Sequence, residues 1–159
     1  MHAYGASPMK CVALVPCDKI IIDKEGAHSI INVMLNAEIA LQQLEPQQSP
    51  QLVPIPADAI SPTTWWVYTI WNPSAEDVGK KLDQFYQLYW PNGEKLLEKS
   101  LSFQPDKNAL WQTTFCFVGL PVGQEGRIRI LTWVDHEGHR LSEIAETFIH
   151  IKHKPVAAA

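Results

Sequence analysis

Six histidines, three cysteines and a scatter of carboxylates are the side chains of this 159-residue sequence that could hold a metal ion or attack a bond. His136 and His139 stand close together, as do His150 and His153, with Asp135 and Glu137 beside the first pair. A zinc-protease helix needs two histidines four apart with a glutamate between them, whereas here the spacing is three and Glu137-Gly138 reads as a turn. His150 and His153 are an odd number apart, so on an extended segment they point to opposite faces. Asp18, Asp23, Asp106 and Asp135 fall near strand ends, where β-sandwiches build loop calcium sites from oxygen ligands and where aspartate is also an ordinary turn former. The expectation is solvated hairpin and edge histidines, turn-forming aspartates, and no metal or other cofactor.

Nucleophile signals are equally thin. The sequence has no G-x-S-x-G elbow, no glycine-rich phosphate loop and no HExxH string, so no catalytic residue is assigned. Cys11, Cys17 and Cys116 are an odd number without C-x-x-C spacing, each in or beside an apolar strand-like stretch. They read as buried reduced thiols of a protein in a reducing, cytoplasmic compartment.

Tryptophan is the most distinctive residue type, with six in the chain. Trp65 and Trp66 are neighbours on a predicted strand, so one must leave the face that the other occupies. Trp133 shares a face with Arg127, Arg129 and Leu131, and tryptophan combined with arginine is typical of interface anchors. These four residues are the candidate partner-binding or self-association face. The competing expectation is that the long loop at 42–62 covers them, or that Glu143 or Glu146 neutralises the arginines. A second functional reading uses Trp66, Tyr68 and Trp90 as stacking platforms for a small ligand or carbohydrate, and a metal-dependent enzyme stands third.

The elements that must position these residues follow from periodicity. Met9 to Asp23 is apolar and β-branched, with Pro16 marking a break or an edge because proline cannot donate to a ladder. From His28 to Leu41 the alternate positions Ile31, Val33, Leu35, Ala37 and Ile39 form one apolar face, which predicts a single strand. Residues 42–62 carry five of the 12 prolines and no sustained period, and read as a crossover between two sheets, with a binding loop as the alternative. Thr63 to Trp71 is an aromatic strand, followed by a polar stretch long enough for one helical turn. Leu82 to Trp90 and Lys95 to Phe103 flank Pro91-Asn92-Gly93-Glu94, a hairpin signal in which Asn-Gly suits a primed turn. Trp111, Thr113, Phe115 and Phe117 share a face of the next strand. Ile128, Ile130, Thr132 and Val134 form the core face of the one after, and Asp135 to Gly138 turn the chain into a last strand with Ala145, Thr147, Ile149 and Ile151 inward.

About eight strands at short spacing, with no helix longer than two turns, predict an all-β fold: an antiparallel β-sandwich, immunoglobulin-like or jelly-roll-like. One domain spans 9–154, with 1–8 and 155–159 as flexible ends. A chain of this length buries about two thirds of its unfolded surface without disulfides. Its net charge of -4, with 13 scattered basic residues, offers no footprint for nucleic acid. The apolar run Cys11 to Val15 is far too short to span a membrane.

Cys17-Asp18 through Asp23, Gly26 and Ser29-Ile30-Ile31, together with Gly119-Leu120-Pro121, Gly126 and the Asp135 to Gly138 turn, resemble an uncharacterised bacterial family of small single-domain β proteins, a domain of unknown function. That family opens with a CD-containing strand, a D-x-x-G turn and an SII strand, and tends to carry glycine where this chain has Asn32. The resemblance implies a one-domain β fold and no particular activity. Taken together, these features lead to the expectation of a non-enzymatic protein-interaction or assembly module.

Overall fold

The computed structural model describes residues 9–41, 55–107 and 109–155. Among the described residues ten strands form two sheets packed face to face, a β-sandwich. The strands are β1 (Lys10–Ile22), β2 (His28–Val33), β3 (Asn36–Leu41), β4 (Ile60–Asn72), β5 (Leu82–Tyr89), β6 (Lys95–Phe103), β7 (Trp111–Pro121), β8 (Gly126–His136), β9 (His139–Arg140) and β10 (Ala145–Pro155). One sheet has the order β2-β1-β4-β7; the other has β3-β10-β8-β5-β6, with β9 added to the end of β8. All pairs are antiparallel except β3 with β10. A short 3-10 turn, Ala75–Asp77, follows β4 where the sequence allowed one helical turn.

Alternation dictates the interior. Trp65, Val67, Thr69 and Trp71 of β4 point inward and are fully buried, as are Leu82, Gln84 and Tyr86 of β5, and Ile128, Ile130, Thr132 and Val134 of β8. Ile149 and Ile151 of β10 complete the wall. The apolar side chains fall into two clusters. A large one is built around Trp65, Tyr86, Phe117 and the inward isoleucines, and a small one around Met9, Trp71, Leu82 and Val134.

A polar cluster with members on both sheets is buried in the same interior. The Gln84 amide nitrogen donates to the Tyr86 hydroxyl at 2.8 Å, to Thr132 Oγ1 at 2.9 Å and to Thr69 Oγ1 at 3.3 Å. Gln84 Oε1 accepts from Thr113 Oγ1 at 2.6 Å, Thr69 and Tyr86 share a 2.8 Å bond, and Thr132 donates onward to the Phe85 carbonyl at 2.7 Å. Thr69 and Thr113 face each other in one sheet, Tyr86 and Thr132 in the other. Every hydroxyl and the amide therefore has a partner, which is the condition under which a buried polar group is tolerated.

Several local expectations need correction. The apolar alternation from His28 to Leu41 belongs to two strands in different sheets. Asn32 takes a left-handed conformation at φ 52°, Met34 turns into the core, and Ile31, Val33 and Leu35 are left exposed. Asparagine tolerates that region better than most other L-residues. Pro16 does not break β1. Its carbonyl accepts the Met34 N–H at 2.8 Å, on the side where β2 has already ended opposite Cys17, so the missing proline donor leaves no ladder bond unmade.

Ile60–Pro62 belong to β4 rather than to the preceding loop. That loop connects β3 in one sheet to β4 in the other, as a crossover requires, while residues 42–54 themselves lie outside the described residues. The expected terminal segments, apart from Pro155 in β10, also lie outside them.

The turn chemistry is distributed differently from expectation. At Pro91–Glu94 only Gly93 has positive φ, and its N–H donates to the Trp90 carbonyl at 2.9 Å, the bond of a β-turn with Pro91 in second place. The primed geometry is found at Glu137-Gly138, where both residues have positive φ, 50° and 79°, between the paired His136 and His139.

Two stability outcomes follow. Gln84→Ala should cost about 3 kcal/mol in denaturant melts, from the cavity and the orphaned Thr113 hydroxyl. Adding Thr113→Val to Gln84→Leu should recover part of the single variant's loss; no recovery would show that the hydroxyl is not the source. Glu137→Asn should relieve left-handed strain and raise the melting temperature by about 2–4 °C.

Candidate functional site

Because Ile128, Ile130, Thr132 and Val134 point inward, Arg127, Arg129, Leu131 and Trp133 stand on the outer face of the six-stranded sheet. Pairing brings further residues to that face. β5 sets Phe85 opposite Trp133, Gln87 opposite Leu131 and Tyr89 opposite Arg129. β10 sets Glu146 opposite Leu131, Phe148 opposite Arg129 and His150 opposite Arg127. β9 adds Arg140 opposite Asp135.

The chain has three arginines, and all three lie here, each above a different aromatic ring. Arg127 sits 4.4 Å from the Phe148 ring centre, Arg129 5.6 Å from that of Tyr89, and Arg140 4.9 Å from that of Trp133. Trp133 also stacks on Phe85 at 5.5 Å and is only 7% exposed. It is therefore a covered platform rather than a bare anchor, and its indole nitrogen is buried without a partner among the described residues.

Arg129 grips Glu146 through Nε and Nη2 at 2.8 and 3.1 Å, and this guanidinium holds the Glu146 carboxyl below its ordinary range. The expected neutralising pair thus forms, with Glu146 and for Arg129 only. Among the described residues Arg127 and Arg140 make no ion pair. Phe85, Tyr89, Phe148 and Arg140 were not singled out from sequence. Parity could have turned Phe85, Tyr89 and Phe148 outward, because residues two apart from Gln84 and from Ile149 are inward and their neighbours must be outward. That they share a face with β8 comes from strand pairing, and Arg140 in the two-residue β9 has no such signal.

The alternative stacking residues are not brought together. Trp66 and Tyr68 lie on the outer face of the four-stranded sheet, since Val67 and Thr69 between and beside them are in the core, while Trp90 is packed in the core itself. Tyr68 is only 6% exposed. Its cover is the β1–β2 hairpin. His28 meets the Tyr68 ring edge-on at 5.5 Å, and Gly26 and His28 face Lys107, Leu110, Trp111 and Gln112 across a cleft of about 300 Å³. One flat ligand therefore cannot stack on Trp66, Tyr68 and Trp90 together.

Among the described residues no three His, Cys, Asp or Glu side chains converge as a metal-binding group. His136 Nδ1 is 3.0 Å from the Lys81 carbonyl and His153 Nε2 is 2.6 Å from that of Val122. Asp23 accepts from the Glu25 and Ala27 N–H groups, which makes it a turn former, and Asp18 accepts from Asn32. Of the three free thiols Cys17 is buried and Cys11 half-buried, but Cys116 is exposed, contrary to expectation, because it lies on the outer face of the edge strand β7.

Burial pushes the Cys11 thiol up to about 11 and also raises Cys17, where the Asp18 charge adds to it; activation of a cysteine needs the opposite shift. The Tyr86 phenol, likewise buried, is pushed up to about 12. No known family model matches the chain, and no curated protein matches it in sequence. Among the described residues no helix is long and apolar enough to cross a membrane.

The raised groups give a pH profile. Below pH 10 tyrosine is protonated in folded and unfolded chains alike, and the contribution of burial is complete. Between 10 and 12 only the unfolded chain ionises Tyr86, so about 3 kcal/mol of stability is lost across that window. Cys11 adds a loss between pH 9 and 11. Denaturant melts of Tyr86→Phe should be flatter from pH 10 to 12, and those of Cys11→Ser from 9 to 11; profiles as steep as wild type would show that these groups are not buried.

Proposed function

We propose that this chain is a non-enzymatic protein-interaction module whose recognition surface is the outer face of the six-stranded sheet. The observation that carries the proposal is the gathering of all three arginines on one face, each over an aromatic ring. Arginine and aromatic residues are the types enriched where protein interfaces bury their strongest contacts. A guanidinium held over a ring has lost part of its freedom before a partner arrives, so less entropy is spent on binding.

Arg127 and Arg140, unpaired on this face, suit carboxylates of a protein partner. Glu146 already occupies Arg129 and holds it in place. Half-buried Leu131 and partly exposed Phe148 supply the apolar contact between the charges. The module works in a reducing, cytoplasmic setting, a placement supported by its three unpaired cysteines.

Trp133→Ala would disturb packing as well as recognition, so charge reversal is the cleaner test. With Arg127→Glu and Arg140→Glu combined, folding should be retained, because both side chains are on the surface. Partners that cross-link to wild-type protein in its native extract should be lost at least tenfold. Replacing acidic residues of a captured partner by lysine should restore binding to the reversed face. Capture equal to wild type by the double variant would overturn the assignment of this face.

A further inference from the structure

The two sheets have four free edges among the described residues, and three of them carry a feature that discourages pairing. β6 bears Lys95, Glu98 and Lys99 along nine residues. β3 is six residues long and carries Glu38, paired with Lys154. β2 is equally short and is kinked at Asn32. β7 differs on every count. It runs for eleven residues, Trp-Gln-Thr-Thr-Phe-Cys-Phe-Val-Gly-Leu-Pro, without a single charge. Its pairing to β4 is regular from Trp111 to Val118, and Gly119 at φ 101° bends it only beyond that stretch. A long, flat, uncharged edge presents a row of unmade backbone hydrogen bonds, which proteins normally blunt or fill.

Side-chain exposure indicates what fills it. Val118 is 81% exposed, more than any other large apolar residue described, and Leu110, the residue just before β7, is 54% exposed. Both lie on the parity of Gln112, Thr114 and Cys116, the outer face. A two-fold axis perpendicular to the sheet and passing midway between the Thr114 residues of two adjacent copies pairs residues whose numbers sum to twice 114. That register sets Leu110 of each copy against Val118 of the other, Gln112 against Cys116, and Thr114 against itself. It pairs Trp111–Phe117 with itself, sets Val118 beside the residue that leads into β7, and leaves the Gly119 bend outside.

We propose that β7 pairs antiparallel with β7 of a second copy about Thr114, joining two four-stranded sheets into one of eight strands. The absence of charge removes the like-charge repulsion that self-pairing otherwise incurs. The contact is isologous, so it closes at a dimer and does not propagate. Threonine opposite threonine is a favourable cross-strand pair, and the exposed Val118 and Leu110 cover each other twice over. This surface is on the other sheet from the arginine face and does not depend on that assignment.

Light scattering after size exclusion should give twice the 17.9 kDa mass of the chain. In a Cys116→Ser background, Thr114→Cys should form a reducible intermolecular disulfide on mild oxidation, since directly opposed residues of antiparallel strands lie within disulfide reach. Thr114→Lys, which opposes two ammonium groups at the axis, should halve the mass. Should that variant not fold, Val118→Lys, a change at a solvent-exposed side chain, decides the same point by weakening the dimer at least tenfold. A wild-type monomer, a dimer indifferent to these lysines, or a Thr114→Cys chain that forms no cross-link while the chain with native Cys116 is joined through Cys116 would overturn the proposal.

Discussion

The interior hydrogen bonds of Gln84 are the constraint on which the rest of the sandwich depends. Apolar side chains alone would allow the sheets to slide by a residue at modest cost, because one isoleucine packs much like another. An amide that must meet Thr69 and Thr113 on one sheet and Tyr86 and Thr132 on the other cannot slide without leaving polar groups dry and unpaired. With Gln84, Tyr86 and Thr132 turned inward, Phe85, Tyr89, Leu131 and Trp133 must turn outward. A one-residue slip of β8 would drive Arg127 and Arg129 into the core and bring Ile128 and Ile130 to the surface. The buried network thus fixes the composition of the outer face several ångströms away, without touching it.

That outer face solves a second problem. An open sheet carrying Phe85, Tyr89, Trp133 and Phe148 would present a broad apolar patch. The three arginines cover the rings in part, each contact contributing about 0.5–1 kcal/mol at such exposed positions. The four-stranded sheet deals with its own outward aromatics by a different route, folding the β1–β2 hairpin over Tyr68. There the cover is the hairpin with His28, whereas on the six-stranded face it is charged side chains, so on that face aromatic rings and guanidinium groups lie side by side.

Much of this was legible in the sequence, and what was missed has a common cause. Period-two alternation identified the core faces of β8 and β10, and with them the placement of Arg127, Arg129, Leu131 and Trp133. Alternation reports parity, however, and not partners. It continued without interruption from Ile31 to Ile39, although the chain changes sheets at Met34, because a strand that leaves one sheet for another can keep its apolar period. It could not show that Trp66 and Trp90 belong to different sheets, so that one flat ligand cannot reach both. Asn-Gly and Glu-Gly turns differ in composition more than in what the flanking strands impose on them. At Glu137 the pairing of His136 with His139 outweighs the cost of a left-handed glutamate. Phe85 and Tyr89 became part of the candidate site only through the pairing of β5 with β8, which brings together residues 40 or more apart in the chain.

The placement of the two surfaces has a consequence for what an assembly could do. β7 lies at the edge of the four-stranded sheet and the arginine cluster on the open face of the six-stranded one, so neither blocks the other. Two chains joined edge to edge about Thr114 are related by an axis perpendicular to the four-stranded sheet. Because the six-stranded sheets lie behind, their outer faces then point to the same side of the particle. A partner with repeated acidic segments could engage both faces at once, and the second engagement is intramolecular. Avidity then exceeds the affinity of a single face by a factor set by the spacing of the segments rather than by any new contact. Weak individual contacts at Arg127 and Arg140 are compatible with firm binding on that arrangement, and a single chain lacks this gain.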